Sequence, residues 1–204
     1  MIYEIRTYDL RPRSVPEFEK RFAEVLPGRL SYSKLAGFWR TEIGPLNQVI
    51  HIWPYEDLNQ RAEIRKQATE SEGWPPDTSE FILNARSEVY TPAPFMTPME
   101  ERDIGPMYEM RTYTYAPGAI QHVLDAWGEK IAEREKLSPL AGCWYSEIGE
   151  LNRFVHLWAY KSFEDRQRVR VEAQEKGIWP PQAGVVPISQ ENKILSPASF
   201  SPMQ

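Results

Sequence analysis

Two histidines stand in matched surroundings. His51 lies in QVIHIWPY and His156 in RFVHLWAY, each followed at the second residue by Trp (Trp53, Trp158) and at the fourth by Tyr (Tyr55, Tyr160). An imidazole in a pocket can act as a general base or ligate haem or a metal ion. Its plainer role is that of a hydrogen-bonded interior side chain. No HxH or HxxxH spacing is present, so metal ligation has no further support. A second polar group is also written twice. YEIRTY (3–8) and YEMRTY (108–113) repeat Glu4, Arg6 and Tyr8 as Glu109, Arg111 and Tyr113. Glu and Arg two apart on one strand face sit ~6–7 Å from each other along the backbone. Such an Arg could anchor an anionic or carbonyl group while Glu orients it. The competing reading is a buried ion pair that sets the register of packed sheets.

Other repeated residues have a chemical and a bland reading. Trp39, Trp53 and Trp74 recur as Trp144, Trp158 and Trp179; they fill a core or wall a planar ligand. Arg61 and Arg65 lie one helical turn apart, as do Arg166 and Arg170; they bind an anion or make helix-surface ion pairs. The lone Cys143 stands where the first copy has Phe38, so no paired nucleophile is expected. Dinucleotide, P-loop, nucleophile-elbow and zincin signatures are absent from the chain.

These residues must be positioned by elements, and the elements repeat. A shift of 105 aligns the two halves without a gap, with 28 identities in the 74 positions from 3 to 76. Such a period is too long for a solenoid unit and suits a small domain. We read a first domain over 1–98, a linker over 99–105 and a second domain over 106–204, the join TPMEERDIGP (97–106) being polar and bracketed by Pro. Within a copy, residues 2–9 alternate as a strand. Residues 14–35 carry Val15, Phe18, Phe22 and Leu26 at helical spacing, with Pro27-Gly28 expected to break or kink the helix. Strands follow at 37–44 and 47–55 around a GPLN turn, then a helix at 57–72 ended by GWPP, then a strand at 81–90, with 186–195 as its partner. The order βαββαβ makes each half a ferredoxin-like unit. The fold class is α+β: two tandem units, each expected to pack the open face of its antiparallel sheet on the other's.

Strand alternation sorts the residues into faces. Glu4, Arg6 and Tyr8 share one face of the first strand, and His51, Trp53 and Tyr55 one face of the third. Ile5 and Ile50, on the opposite faces, drift to Met110 and Val155. Core positions tolerate such swaps, whereas buried polar networks do not. The apolar set is therefore expected to face the helices, and the polar set the space between the two sheets.

Composition bounds the rest. Of 204 residues, 41% are hydrophobic and 26% charged, with net charge -5 and basic and acidic residues intermixed. That is globular, with no basic footprint for nucleic acid. No signal peptide, Arg- and Ser-rich transit segment or membrane-spanning run is evident, so a soluble cytoplasmic protein without membrane association is expected.

The strand motifs YEIRTYDL and YEMRTYTY, the hairpin GFWRTEIGPLNQVIHIWPY with its second version, the paired arginines of each second helix and the tryptophan closing that helix together resemble the NIPSNAP family over nearly the whole chain. The resemblance implies that the two sheets pack as an intrachain dimeric α/β barrel, and so the dimeric α/β-barrel superfamily, whose members include cofactor-independent monooxygenases, haem-degrading enzymes and isomerases. It carries no chemistry residue by residue. The WPP departs from the expected acidic residue before the proline. Two readings follow. In the first, the barrel interior binds a small, partly apolar or aromatic molecule. His51, His156, Glu4 and Glu109 are the catalytic candidates there, and Arg6, Tyr8, Trp53, Tyr55, Arg111, Tyr113, Trp158 and Tyr160 the ligand contacts. Oxygenation or isomerisation would proceed with no cofactor, haem on a histidine being the alternative. In the second, the chain is a non-catalytic scaffold with a filled barrel. Free outer sheet edges would favour a homo-oligomer.

Overall fold

The computed structural model describes residues 1–70 and 73–204. Each half has the anticipated order. In the first, β1 (Ile2–Leu10) leads to α1 (Val15–Leu30), the hairpin β2 (Gly37–Ile43) and β3 (Gln48–Tyr55), α2 (Leu58–Glu70), a 3-10 turn (Ser79–Phe81) and β4 (Ile82–Pro92). In the second, β5 (Met107–Thr114), α3 (Ile120–Glu135), β6 (Leu140–Ser146), β7 (Arg153–Tyr160), α4 (Phe163–Glu175) and β8 (Ser189–Pro197) repeat the pattern. The helix expected at 57–72 is described to Glu70; its last two residues lie outside the described residues. The break expected at Pro27-Gly28 does not occur. α1 runs through Pro27 to Leu30 and matches α3 at 16 residues. The proline forfeits one backbone bond, to the Ala23 carbonyl, and the helix continues for three more residues without it.

The eight strands form one closed barrel in the order β1-β3-β2-β8-β5-β7-β6-β4. Both seams join the halves: β2 pairs with β8, Trp39 opposite Pro197, and β4 with β6, Tyr90 opposite Ser146. The barrel therefore has no free sheet edge, which removes the edge-pairing argument for further assembly. The join between halves is also tied down. The Ile104 and Gly105 amides donate to the Gln204 carbonyl, and Arg102 bridges to Met203.

The interior is a shared apolar core. Tyr3, Ile5, Trp39, Ile50 and Ile52 meet Tyr108, Met110, Trp144, Val155 and Leu157 there. The Trp144 ring lies over Gly142, where a Cβ would come within 2.1 Å of it, and Trp39 covers Gly37 likewise at 2.0 Å. This overturns the assignment of faces. The alternation is correct, but its sense is reversed: Ile5, Ile50, Met110 and Val155 point into the barrel, and the polar set points out toward the helices. An eight-stranded barrel is just wide enough for its own side chains to fill. Twelve polar groups and a ligand have no room there. On the outer face, Phe18, Phe22 and Leu26 of α1 pack on Phe38, Val49 and Trp53, and Val123, Trp127 and Ile131 of α3 on Phe154 and Trp158.

Candidate functional site

Between each sheet and its helices lies a cavity. Glu4, Arg6, Tyr8, His51, Trp53 and Tyr55 all line the one in the first half, of about 290 Å³. Glu109, Arg111, Tyr113, His156, Trp158 and Tyr160 all line the one in the second half, of about 700 Å³. The structure thus assembles each anticipated set of six, but in two separate outer pockets and not in one shared interior.

The pairing of β1 with β3 sets Arg6 opposite His51 and Glu4 opposite Trp53, and β5 with β7 repeats this for Arg111 and His156. Both Glu4 and Glu109 are fully buried. Glu4 accepts from Arg6 (2.9 Å), Arg61 (2.7 Å) and the Ser87 hydroxyl (2.5 Å) through one oxygen. Burial would raise its carboxyl, but the Arg61 and Ser87 bonds and the charges of Arg6 and Arg61 outweigh this and hold it at about 2. Glu109 is gripped differently. Arg166 reaches both its oxygens, Nη2 to Oε1 at 2.7 Å and Nε to Oε2 at 3.0 Å, and leaves Arg111 3.6 Å away. Arg61 and Arg166 are therefore partners of the buried carboxylates rather than helix-surface ion pairs.

Each histidine is locked by its neighbour two residues on. Trp53 Nε1 donates to His51 Nδ1 at 2.7 Å, and Trp158 Nε1 to His156 Nδ1 at 2.9 Å. An indole N–H can only donate, so Nδ1 holds a lone pair and the proton of the neutral ring sits on Nε2. In both residues Nε2 is buried without a partner. Burial, assisted by the Arg6 charge, lowers His51 to about 3; burial, then Arg111, Arg134 and Arg170, holds His156 well below its usual range. Both rings are therefore neutral hydrogen-bond donors at physiological pH. The general-base role anticipated for them does not fit, since neither ring has a free lone pair. Haem ligation does not fit either: Nε2 could bind iron only if Nδ1 took the proton, and the indole N–H occupies that position. Among the described residues no cluster of three or more His, Cys, Asp or Glu is placed to hold a metal ion.

One pair of residues went unnoticed in the sequence. Arg29 and Arg134, in the last turns of α1 and α3, are 3% and 2% exposed. Arg134 donates to Tyr160 Oη (3.2 Å) and Ser138 Oγ (2.8 Å), and its guanidinium stands 4.2 Å from the centre of the Trp158 ring. Arg29 does the same with Tyr55, Ser33 and Trp53. Neither has a carboxylate partner among the described residues. Burial lowers the pKa of both arginines. The signal was available: Arg29 and Ser33 recur at the same shift of 105 as Arg134 and Ser138. Trp74 and Trp179 also stand on the cavities, Trp179 meeting Trp127 edge-on at 4.5 Å.

The NIPSNAP family model matches residues 3–97 and again 108–202. The chain belongs to the NIPSNAP family. It is 31% identical to the human protein NipSnap homolog 3B over 99% of this chain and 85% of that one. It is 34% identical to a NipSnap homolog of Dictyostelium discoideum over 87% and 78%. A Lactobacillus acidophilus protein provisionally called a monooxygenase shares the whole architecture, with a TM-score of 0.69 over 96% of this chain and 93% of that chain. At 9% identity that likeness concerns the fold alone. The NIPSNAP repeat is thus a ferredoxin-like unit, and two of them close this barrel through their edge strands. No helix among the described residues is long and apolar enough to cross a membrane.

Proposed function

We propose that this NIPSNAP protein binds a small, partly aromatic molecule in the sheet–helix pocket of its second half, with an oxygen of the ligand held by Arg111 and the Nε2–H of His156. The observation that carries this is a cavity of about 700 Å³ in which a buried, unpaired imidazole N–H, arginines and the rings of Trp127, Trp158 and Trp179 share one wall. Its volume falls in the usual range of small-molecule sites, roughly 300–1,000 Å³. An unmet donor at that depth costs free energy that a ligand oxygen would recover.

The chemistry supported is stabilisation of negative charge on a ligand oxygen. Arg111 and His156 supply positive charge and a fixed donor, in the manner of an oxyanion site. Glu109 is tied to Arg166 by two bonds and is poorly placed to take a proton. Cofactor-independent oxygenation of a substrate that arrives already ionised, its proton lost to solvent as for an acidic phenol or enol, suits this set; isomerisation, in which the protein must take a proton from carbon, does not. The scaffold reading gains one point, since the barrel itself is filled. The pockets lie outside the barrel, however, so its filling does not count against a site.

A thermal-shift screen of small aromatic acids, phenols, amides and ketones tests the reading, run in parallel on Ala183→Trp, a substitution at the cavity wall. At least one class should raise the Tm of the parent and leave the variant unmoved. No class binding, or equal shifts in both proteins, would end the assignment.

A further inference from the structure

The two halves are not equivalent, and the differences converge. In the first half the segment after the Pro-Pro pair is tethered from two sides. Arg21 donates to the Asp77 carbonyl (2.8 Å) and to Glu80 (2.9 Å) and lies over the Phe81 ring; Arg11 donates to the Glu80 carbonyl (2.8 Å). The residues at the same places in the second half are Ala126 and Ala116. Glu80 and Phe81 become Val185 and Val186, and Val186 is 82% exposed. No 3-10 turn forms there among the described residues. The segment lacks these side-chain tethers, and the cavity it lines is more than twice as large.

The charged groups differ in the same sense. In the first half Arg6 is consumed: Nε donates to Tyr8 Oη at 2.7 Å and Nη1 to Glu4 at 2.9 Å. In the second, Arg166 takes both oxygens of Glu109, so Arg111 is left with a longer 3.6 Å contact to that carboxylate, makes no side-chain hydrogen bond among the described residues, and its buried Nε has no partner. Arg134 Nε is likewise unpaired, and Arg170 makes no ion pair among the described residues. Arg111, Arg134 and Arg170 thus face one cavity with a single carboxylate that is already neutralised by Arg166 from outside it. Arg111 Nε and Arg134 Nε are buried donors without a partner, unlike Arg6 Nε and Arg29 Nε, and an anion in the cavity would offset that cost.

We infer that the ligand is a planar aromatic carboxylate, bound once per chain in the second-half pocket, and that the first-half pocket, smaller and with its Arg6 already engaged by Glu4 and Tyr8, is a counterpart that does not take it. The carboxylate would meet Arg111 and the His156 Nε2–H, and the ring would lie among Trp127, Trp158 and Trp179. The inference rests on the pocket reading above and adds to it the charge and the count.

Titration calorimetry with 2-naphthoate and with its uncharged partner 2-naphthamide separates the two claims. The acid should bind with one site per chain and at least about tenfold more tightly than the amide, the least expected of one charge-assisted hydrogen bond. Arg111→Leu should remove most of that preference, weakening the acid far more than the amide. Ala116→Arg/Ala126→Arg, which returns the donors for the two backbone-carbonyl tethers, should weaken acid binding by about tenfold or more. Equal binding of acid and amide would overturn the anion and leave the pocket reading standing. Two sites per chain would overturn the asymmetry. Failure of naphthoate in a protein whose screen does find pocket ligands would overturn the inference alone.

Discussion

Holding two neutral histidines inside a fold has a measurable consequence in acid. The unfolded chain protonates its histidines near 6.5, whereas folded His51 resists until about 3 and folded His156 also stays neutral well below 6.5. Between those limits the unfolded state binds more protons, so stability falls as pH falls. From pH 7.5 to 5.5 each such histidine withdraws about 1.4 kcal/mol, set by the unfolded value alone, and the pair about 2.7 kcal/mol. The lowered carboxyl of Glu4 adds its own loss only below its usual value of 4.5, outside that window. Urea melts at the two pH values should then differ in midpoint by about 1 M, taking a slope near the upper end of the usual range. His51→Gln/His156→Gln keeps an acceptor for each indole N–H and removes the titration, so its midpoint should move far less. A parent protein with equal stability at both pH values, or a double variant that loses as much as the parent, would show that the rings are not buried as neutral donors. The assignment of Nε2–H as the ligand's donor would fall with it.

Further outcomes follow from the same contacts. Nitrogen NMR of His51 and His156 should show the proton on Nε2 and none on Nδ1 from pH 8 to pH 5; a protonated Nδ1 in either would contradict the indole lock. Gly142→Ala places a Cβ 2.1 Å from the Trp144 ring and should cost about 1–3 kcal/mol in urea unfolding, as overpacked cores do; an unchanged midpoint would mean the interior has slack. Trp158→Phe strips the donor from His156 Nδ1 and should cost a similar ~1–3 kcal/mol, with naphthoate affinity reduced because the ring is no longer oriented.

Much of the site was legible because two copies could be compared. Glu4, Arg6, Tyr8, His51, Trp53 and Tyr55 were grouped by strand alternation and by their return 105 residues later, and the structure places every one on a single cavity wall. Arg29 and Arg134 were equally legible by that comparison but sit on helices, away from the strand motifs that drew notice. The tethers Arg11 and Arg21 could not be weighed in advance, because their carbonyl partners at Asp77 and Glu80 are 56 to 69 residues distant.

The sequence by itself determined the tandem units, the order and type of their elements, and which side chains share a strand face. These depend on local periodicity and on a repeat that any alignment of the chain with itself reveals. Only the tertiary structure decided which face looks inward. Alternation with a period of two is blind to sign, and here both faces are buried, so polarity could not choose between them. Closure of β2 on β8 and β4 on β6 made an interior that Trp39, Trp144 and their neighbours fill, save for a space of about 160 Å³ beside Ile5, Met110 and Val155. The polar groups were left to the space under the helices, where one pocket is narrowed by tethered chain and the other is more than twice as large.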